Sequence, residues 1–379
     1  MKISKLLSKL NWTNSLFLTI TPVVGFAALA YLIDTHSIYW QTILLMVIFT
    51  FIGGISITAG YHRLFSHNTY KAHPIIAALL AFFGAGSFEG SVLEWCTDHR
   101  NHHRYTDTDK DPYNSKRGFW YSHIGWLFVL DNSKRDYSNV DDLSNNKMLR
   151  LQHRFYLPVA VTSGMLVPMA IGALWGDALG GLLLAGVLRI VLNQHFTFCI
   201  NSFCHMLGKR TYSDRITARD NWFTALVTYG EGYHNFHHQF PLDYRNAIKS
   251  YQYDPTKWLI YGLSKVGLTS DLRKVKQSLI VQYKLRMDEQ NMLAKAERNA
   301  AIKEHVENAL RPVQEAIMTT LTKLEELEKS YANFKAIKDH LKMVDCRKNL
   351  KAAKYELKYS LKKWKNLISH ADRLALAAV

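Results

Sequence analysis

Four stretches of the chain stay apolar long enough to cross a bilayer: 16–33, 38–59, 155–175 and 179–202. A helix needs about 20 apolar residues to span the hydrocarbon layer, so each predicts a transmembrane helix. A fifth stretch, 74–88, is as apolar but short. It predicts a segment that enters the membrane and returns, or lies along its surface. Beyond about residue 271 the pattern changes. No glycine follows Gly267, and Lys, Glu, Ala and Leu dominate. Apolar positions recur every seven residues at Leu310, Ile317, Leu324 and Tyr331, with Val313, Thr320, Leu327, Phe334 and Leu341 on a second seam. That spacing predicts a helical hairpin or short coiled coil, with Trp364 placed to pack on it. The chain reads as an all-α integral membrane protein, with a membrane domain over 1–270 and a lysine-rich helical tail over 271–379. The tail either docks or pairs with a partner, or covers one face of the membrane domain.

Charge changes the picture in one respect. The chain of 379 residues carries a formal net charge of +16. Alone, that balance suggests nucleic acid; beside four apolar spans, the basic residues become topology signals. The connections 34–37 and 176–178 contain no Lys or Arg, whereas 96–154 contains Arg100, Arg104, Lys116, Arg117, Lys134 and Arg135. Lys2, Lys5 and Lys9 precede the first span. The positive-inside rule then puts both termini and the long connection in the cytoplasm. Ala28-Leu29-Ala30 mimics a signal cleavage site, but the apolar run continues through Ile33, which favours a retained anchor. Cys96, Cys199, Cys204 and Cys346 form no C-x-x-C pattern and read as reduced thiols. Arg189, inside the fourth apolar run, either contacts substrate or a buried acid, or is a paired structural arginine.

The candidate chemistry lies in histidine. Of 17 histidines, eight fall in three short boxes: His62 and His67 in HRLFSH, His99, His102 and His103 in HRNHH, and His234, His237 and His238 in HNFHH. Imidazole is the commonest protein ligand for transition metals, and one ion takes four to six ligands, so eight converging imidazoles imply two ions. The second and third boxes have i, i+3, i+4 spacing, which places each set on one helix face. His62 and His67 are five apart and would diverge on one ideal helix, so that pair is expected to straddle a helix end. All three boxes can share two ions only from one side of the membrane. Four spans with 74–88 not crossing satisfy that parity.

The segments GYHRLFSH (60–67), WCTDHRNHHRYTDTDKDPYNSKRGFWYSHIGW (95–126), NSFCH (201–205) and GEGYHNFHHQFP (230–241) resemble the membrane acyl-CoA desaturases, most closely the stearoyl-CoA delta-9 type. The resemblance covers roughly residues 15–275 and implies four spans under a cytoplasmic helical cap holding a di-iron site. It implies O2-dependent removal of hydrogen from two adjacent methylenes of a saturated acyl-CoA, such as stearoyl or palmitoyl. The product would be a cis-delta-9 double bond. Such unactivated C–H bonds are beyond any acid–base side chain. The implied metal ligands are His62, His67, His99, His102, His103, His205, His234, His237 and His238, with Asn201 holding a metal-bound water. His205 enters only through the NSxxH match. Asp98, Glu94 and Glu231 are candidates for orienting imidazole N–H groups. Trp95, Thr197 and Phe198 match the positions where the family's acyl tunnel bends, and Trp126 is a fourth candidate for the substrate cavity. Mammalian members often carry Trp at the position of Phe198 and Gln at that of Glu89.

Fungal members carry a fused cytochrome b5 with an HPGG haem motif, which is absent here. The expected electron donor is therefore a separate protein: cytochrome b5, a ferredoxin or a similar carrier with its reductase. Membrane lipid is the expected surrounding and nucleic acid is not expected as a partner. A bacterial inner membrane is favoured, or the endoplasmic reticulum for a eukaryotic chain. Two alternatives remain: a related di-iron hydroxylase or ketolase acting on a lipid, and a histidine-rich metal transporter. A transporter places ligands within its spans, whereas these boxes flank them.

Overall fold

The computed structural model describes residues 10–35, 37–130, 135–296, 303–304 and 306–377. Lys2, Lys5, Lys9 and Lys134 lie outside the described residues. The chain divides into two compact units, one of residues 1–210 and 215–274 and one of 211–214 and 275–379.

The first unit is built on α1 (Trp12–Asp34), α2 (Trp40–Ser66), α3 (Pro74–Ala85), α4 (Val92–Tyr105), α5 (Tyr156–Ala173) and α6 (Ala178–Met206). Among the described residues, α1, α2, α5 and α6 are long and apolar enough to cross a membrane. α1 starts before its apolar stretch because Asn11 caps it, accepting from the Asn14 N–H at 3.0 Å, while Asn14 Nδ2 donates to the Leu127 carbonyl at 3.1 Å. These polar partners stabilise a first turn that hydropathy alone misses. Leu44, Val47, Ile48 and Phe51 on α2, and Ile20, Val23, Val24 and Phe26 on α1, are exposed, a belt suited to lipid rather than water. α2 and α6 bury more than half of their apolar windows and α1 and α5 under a third, so α2 and α6 are central.

At 1.5 Å per residue, α2 with 27 residues and α6 with 29 are about 40 Å long, roughly 10 Å more than the hydrocarbon layer needs. Both hairpin turns lie at one end of the bundle. There Trp175 Nε1 donates to Thr42 Oγ1 at 3.0 Å and Thr42 Oγ1 donates to Asp177. The overhang of α2 and α6 is therefore at the opposite end. α3, at twelve residues and about 18 Å, is shorter than a span. It stops at Ala85 because the chain reverses through Phe88 and Gly90, both at positive φ, before Ser91 and Glu94 close a capping box at the start of α4.

Arg189 is fully buried on α6, and its guanidinium donates to the carbonyls of Ala185, Gly86 and Gly164 at 3.2, 3.0 and 2.8 Å. It satisfies the backbone where α5 and the end of α3 meet α6, and it pairs with no acid among the described residues. Beyond α6 the first unit adds α7 (His234–Gln239), α8 (Pro255–Lys265) and a two-stranded antiparallel pair, Lys71–Ala72 with Thr269–Ser270.

The second unit contains α9 (Gln277–Ala296), α10 (Arg311–Ala336) and α11 (His340–Ala377). Leu285, Leu310, Ile317, Leu321 and Trp364 share one core, and Trp364 Nε1 donates to Asp288 at 2.9 Å. The heptad seam is buried at Leu310, Val313, Ile317, Thr320 and Leu324. It then fades, and Leu341 is 83% exposed. The chain turns through Lys338, at φ 56°, between α10 and α11, so the two-seam repeat cannot run on through position 341.

Candidate metal centre

The overhanging end of α2 resolves the five-residue spacing of its box. From Ser56 to Ser66 the helix winds with i→i+5 bonds, and the His67 N–H donates to the His62 carbonyl at 3.1 Å. That wider winding brings residues five apart toward one face. His67 also caps the helix, so the pair is at a helix end as its spacing suggested, and the winding makes it converge. α4 presents His99, His102 and His103. His205 closes α6, and α7 supplies His234, His237 and His238.

These nine imidazoles form two groups. His62, His67, His99, His103 and His237 make one; His102, His205, His234 and His238 make the other. In the first, Nε2 atoms approach at 2.9 Å for His62–His237 and His67–His99, and at 3.0 Å for His103–His237. In the second, His102–His238 and His205–His234 lie at 3.2 Å and His234–His238 at 3.0 Å. Neighbouring nitrogens on one ion, at a metal–nitrogen distance of about 2.1 Å and right angles, are about 3.0 Å apart. The donor sets therefore fit two metal ions. Burial pushes His67, His99, His103, His234, His237 and His238 well below the usual imidazole range, and neighbouring histidines push the same way. That favours the neutral form a metal requires.

The opposite ring nitrogens are held individually. His62 Nδ1 lies 3.0 Å from Glu231, His102 Nδ1 2.9 Å from Asp111, His205 Nδ1 2.8 Å from Thr217 Oγ1 and His99 Nδ1 3.3 Å from the Tyr113 hydroxyl. Thr217 in turn donates to Asp107 at 2.6 Å. Such contacts fix which imidazole nitrogen faces the centre. Burial pushes the Glu231 carboxyl up, but His62 and Arg63 outweigh it and leave it below its usual range. Arg63 is fully buried between Glu231 at 2.9 Å and Asp254 at 3.0 Å. Gly230, at φ +101°, makes the turn that delivers Glu231; a Cβ there would lie 2.7 Å from the Asp254 carboxylate.

Glu94 and Asp98 do not take the orienting role expected of them. Asp98 accepts from Arg135 at 2.7 and 3.1 Å. Glu94 accepts from the Ser91 N–H at 2.8 Å and pairs with Arg135 at 3.3 Å. The reason is Arg135, which reaches in from another segment and engages both carboxylates, although Asp98 lies only about 40° from His102 around α4. Asp111, Asp107, Thr217, Tyr113 and Arg63 were not singled out by sequence. Their contacts cross between segments, so no local spacing marks them.

A cavity of about 420 Å³ opens beside the centre and is mostly apolar. Trp95, Trp126, Thr197 and Phe198 line it, and so does Asn201. Glu89 also lines it, accepting from Trp95 Nε1 at 3.2 Å and Thr197 Oγ1 at 2.8 Å. Burial pushes its carboxyl up to about 8, against those two hydrogen bonds.

Comparison with known proteins agrees with this layout. Residues 37–265 match the family model for fatty acid desaturase. The chain is 45% identical to acyl-CoA desaturase 1 of Saccharomyces cerevisiae over 286 residues, covering 75% of this chain and 56% of that protein. It is 46% identical to a probable acyl-CoA desaturase of Schizosaccharomyces pombe over 265 residues, covering 69% and 54%. It is 36% identical to stearoyl-CoA desaturase 5 of Homo sapiens over 250 residues, covering 64% and 76%. The chain thus spans little more than half the length of these two fungal relatives.

Proposed function

The chain belongs to the fatty acid desaturase family, and on that premise we propose that it inserts a cis double bond at carbon nine of a saturated acyl-CoA. The overall reaction joins one acyl chain, one O2, two electrons and two protons to give the alkene and two waters. The observation that carries the reading is the pair of histidine groups beside a mostly apolar cavity at the end of the helices opposite the two hairpin turns.

The five-histidine group would hold one iron and the four-histidine group the other, with Asn201 positioned to hold a bound water. Bound iron would supply O2-dependent removal of hydrogen from unactivated methylenes. The chain's own residues do the rest. Glu231 and Asp111 accept from His62 and His102 and aim each Nε2 inward. Trp95, Phe198 and Trp126 give the acyl chain a wall without charge, and Glu89 fixes Trp95 and Thr197 against that chain. Enclosure of the chain keeps bulk water from the reacting methylenes.

Electrons would come from a separate carrier protein, and the centre and both termini would face the cytoplasm, as the loop charges favour. The test is fatty-acid profiling, with double-bond derivatisation, of a host requiring unsaturated fatty acids that expresses the chain or its His99→Ala variant. New delta-9 monounsaturates from the parent alone support the reading. An oxygenated lipid product would point to a hydroxylase, and full activity in His99→Ala would overturn the metal assignment.

A further inference from the structure

The second unit has a surface that neither its own core nor the chemistry of the first unit explains. α11 buries Cys346, Ala353, Trp364 and Ala371 on one side. The opposite side carries Val344, Tyr355 and Tyr359, which are 63, 74 and 65% exposed. Between them lie Lys348, Lys351, Lys358 and Lys362, all exposed. At 100° per residue these seven fall within about 60° of Tyr355. The acidic residues of the helix, Asp345, Glu356 and Asp372, all lie about 80° or more away. Three cations of α11 off this stripe are engaged within the unit. Lys354 pairs with Glu328 at 3.6 Å, Lys342 with Asp339 at 3.3 Å, and Arg347 donates to the Tyr331 hydroxyl at 2.8 Å. No ion pair joins the four face lysines to an acid among the described residues.

We propose that this face of α11 docks on an anionic membrane surface. An acid-free lysine stripe complements anionic headgroups, and each basic residue close to such a surface strengthens binding by roughly five-fold. Tyrosine is enriched where one end of a side chain is apolar and the other wet, which is the headgroup level. The stripe from Val344 to Lys362 runs along about 27 Å of one helix face. The chain also carries its own membrane-crossing helices, so the bilayer is at high effective concentration and a modest affinity suffices.

The test uses the full chain in lipid nanodiscs with a benzophenone photocrosslinker in place of Tyr359, and a control with it at Asn349, which lies off the stripe. Discs of phosphatidylcholine are compared with discs containing phosphatidylglycerol. Lipid adducts at position 359 should rise about ten-fold or more with the anionic lipid. They should fall to the level of the neutral discs in 0.5 M salt, or when Lys348, Lys351, Lys358 and Lys362 are replaced by Glu. These replacements are at exposed positions and leave the core intact. Equal yields in both lipids, equal yields at 359 and 349, or adducts to an acidic protein in native membranes in place of lipid would each overturn the proposal.

Discussion

Glu89 offers a quantitative handle on the cavity. Its carboxyl is buried in the cavity wall, held by Trp95 and Thr197, and pushed up to about 8. At pH 7 a group with that value is about nine-tenths protonated, and at pH 9 about one-tenth. Protonated, it donates to Thr197 Oγ1 and accepts from Trp95, and its own stretch of the wall carries no charge. Ionised, it puts a charge against an apolar acyl chain, which is strongly unfavourable in a dry site. If only the neutral form admits the chain, kcat/KM for acyl-CoA falls about ten-fold between pH 7 and pH 9. Glu89→Gln keeps both hydrogen-bond partners, since the amide oxygen accepts from Trp95 and the amide nitrogen donates to Thr197. The variant should match the parent near pH 7 and lose the alkaline fall. The assay is initial-rate desaturation of labelled acyl-CoA from pH 6 to 9.5, with electron supply in excess so that the donor does not set the profile. An alkaline fall of the same size and midpoint in Glu89→Gln would refute the reasoning.

Replacing Glu231 by Gln removes the anionic partner of His62, and metal affinity at the five-histidine group should weaken by about 10- to 100-fold, read as metal content after dialysis against a graded chelator. Asp111→Asn should weaken the four-histidine group by a similar factor, so each variant is expected to retain close to one ion per chain. Gly230→Ala forces a side chain into left-handed backbone 2.7 Å from the Asp254 carboxylate, and should cost about 1–3 kcal/mol, seen as a lower Tm in detergent and looser iron retention. Arg189→Leu leaves the Gly86 and Gly164 carbonyls without their buried donor, at about 1–3 kcal/mol each, and thermal unfolding should report it although the residue lies away from the chemistry.

The sequence revealed most about features with short range. Apolar run length marked α1, α2, α5 and α6 to within a few residues, except where polar caps or the winding beyond Ala59 extended a helix. The i, i+3, i+4 boxes marked which faces of α4 and α7 carry the histidines that converge. The split of nine histidines into five and four was not legible. It separates His102 from its neighbours His99 and His103 and joins it to His205. That division depends on how four segments meet in space. The same limit hid Asp111 and Thr217. It also favoured Glu94 and Asp98, which are near the histidines in sequence but are held by Arg135 from a distant segment.

The widened winding of α2 has a consequence for how this chain can vary. One residue more or fewer in a helix rotates everything beyond it by about 100°. The interval 56–66 therefore sets the phase between the lipid-facing stripe of the span and the direction in which His62 and His67 point. The extra residue per turn lets these two orientations be chosen independently, much as a spacer sets the angle between two parts on one shaft. Substitution along the lipid face should be readily tolerated, because it leaves that angle alone. A single deletion between Ser56 and Ser66 should not, even where it removes no ligand, because it misaims a histidine pair while leaving the span as apolar and as deep in the bilayer as before.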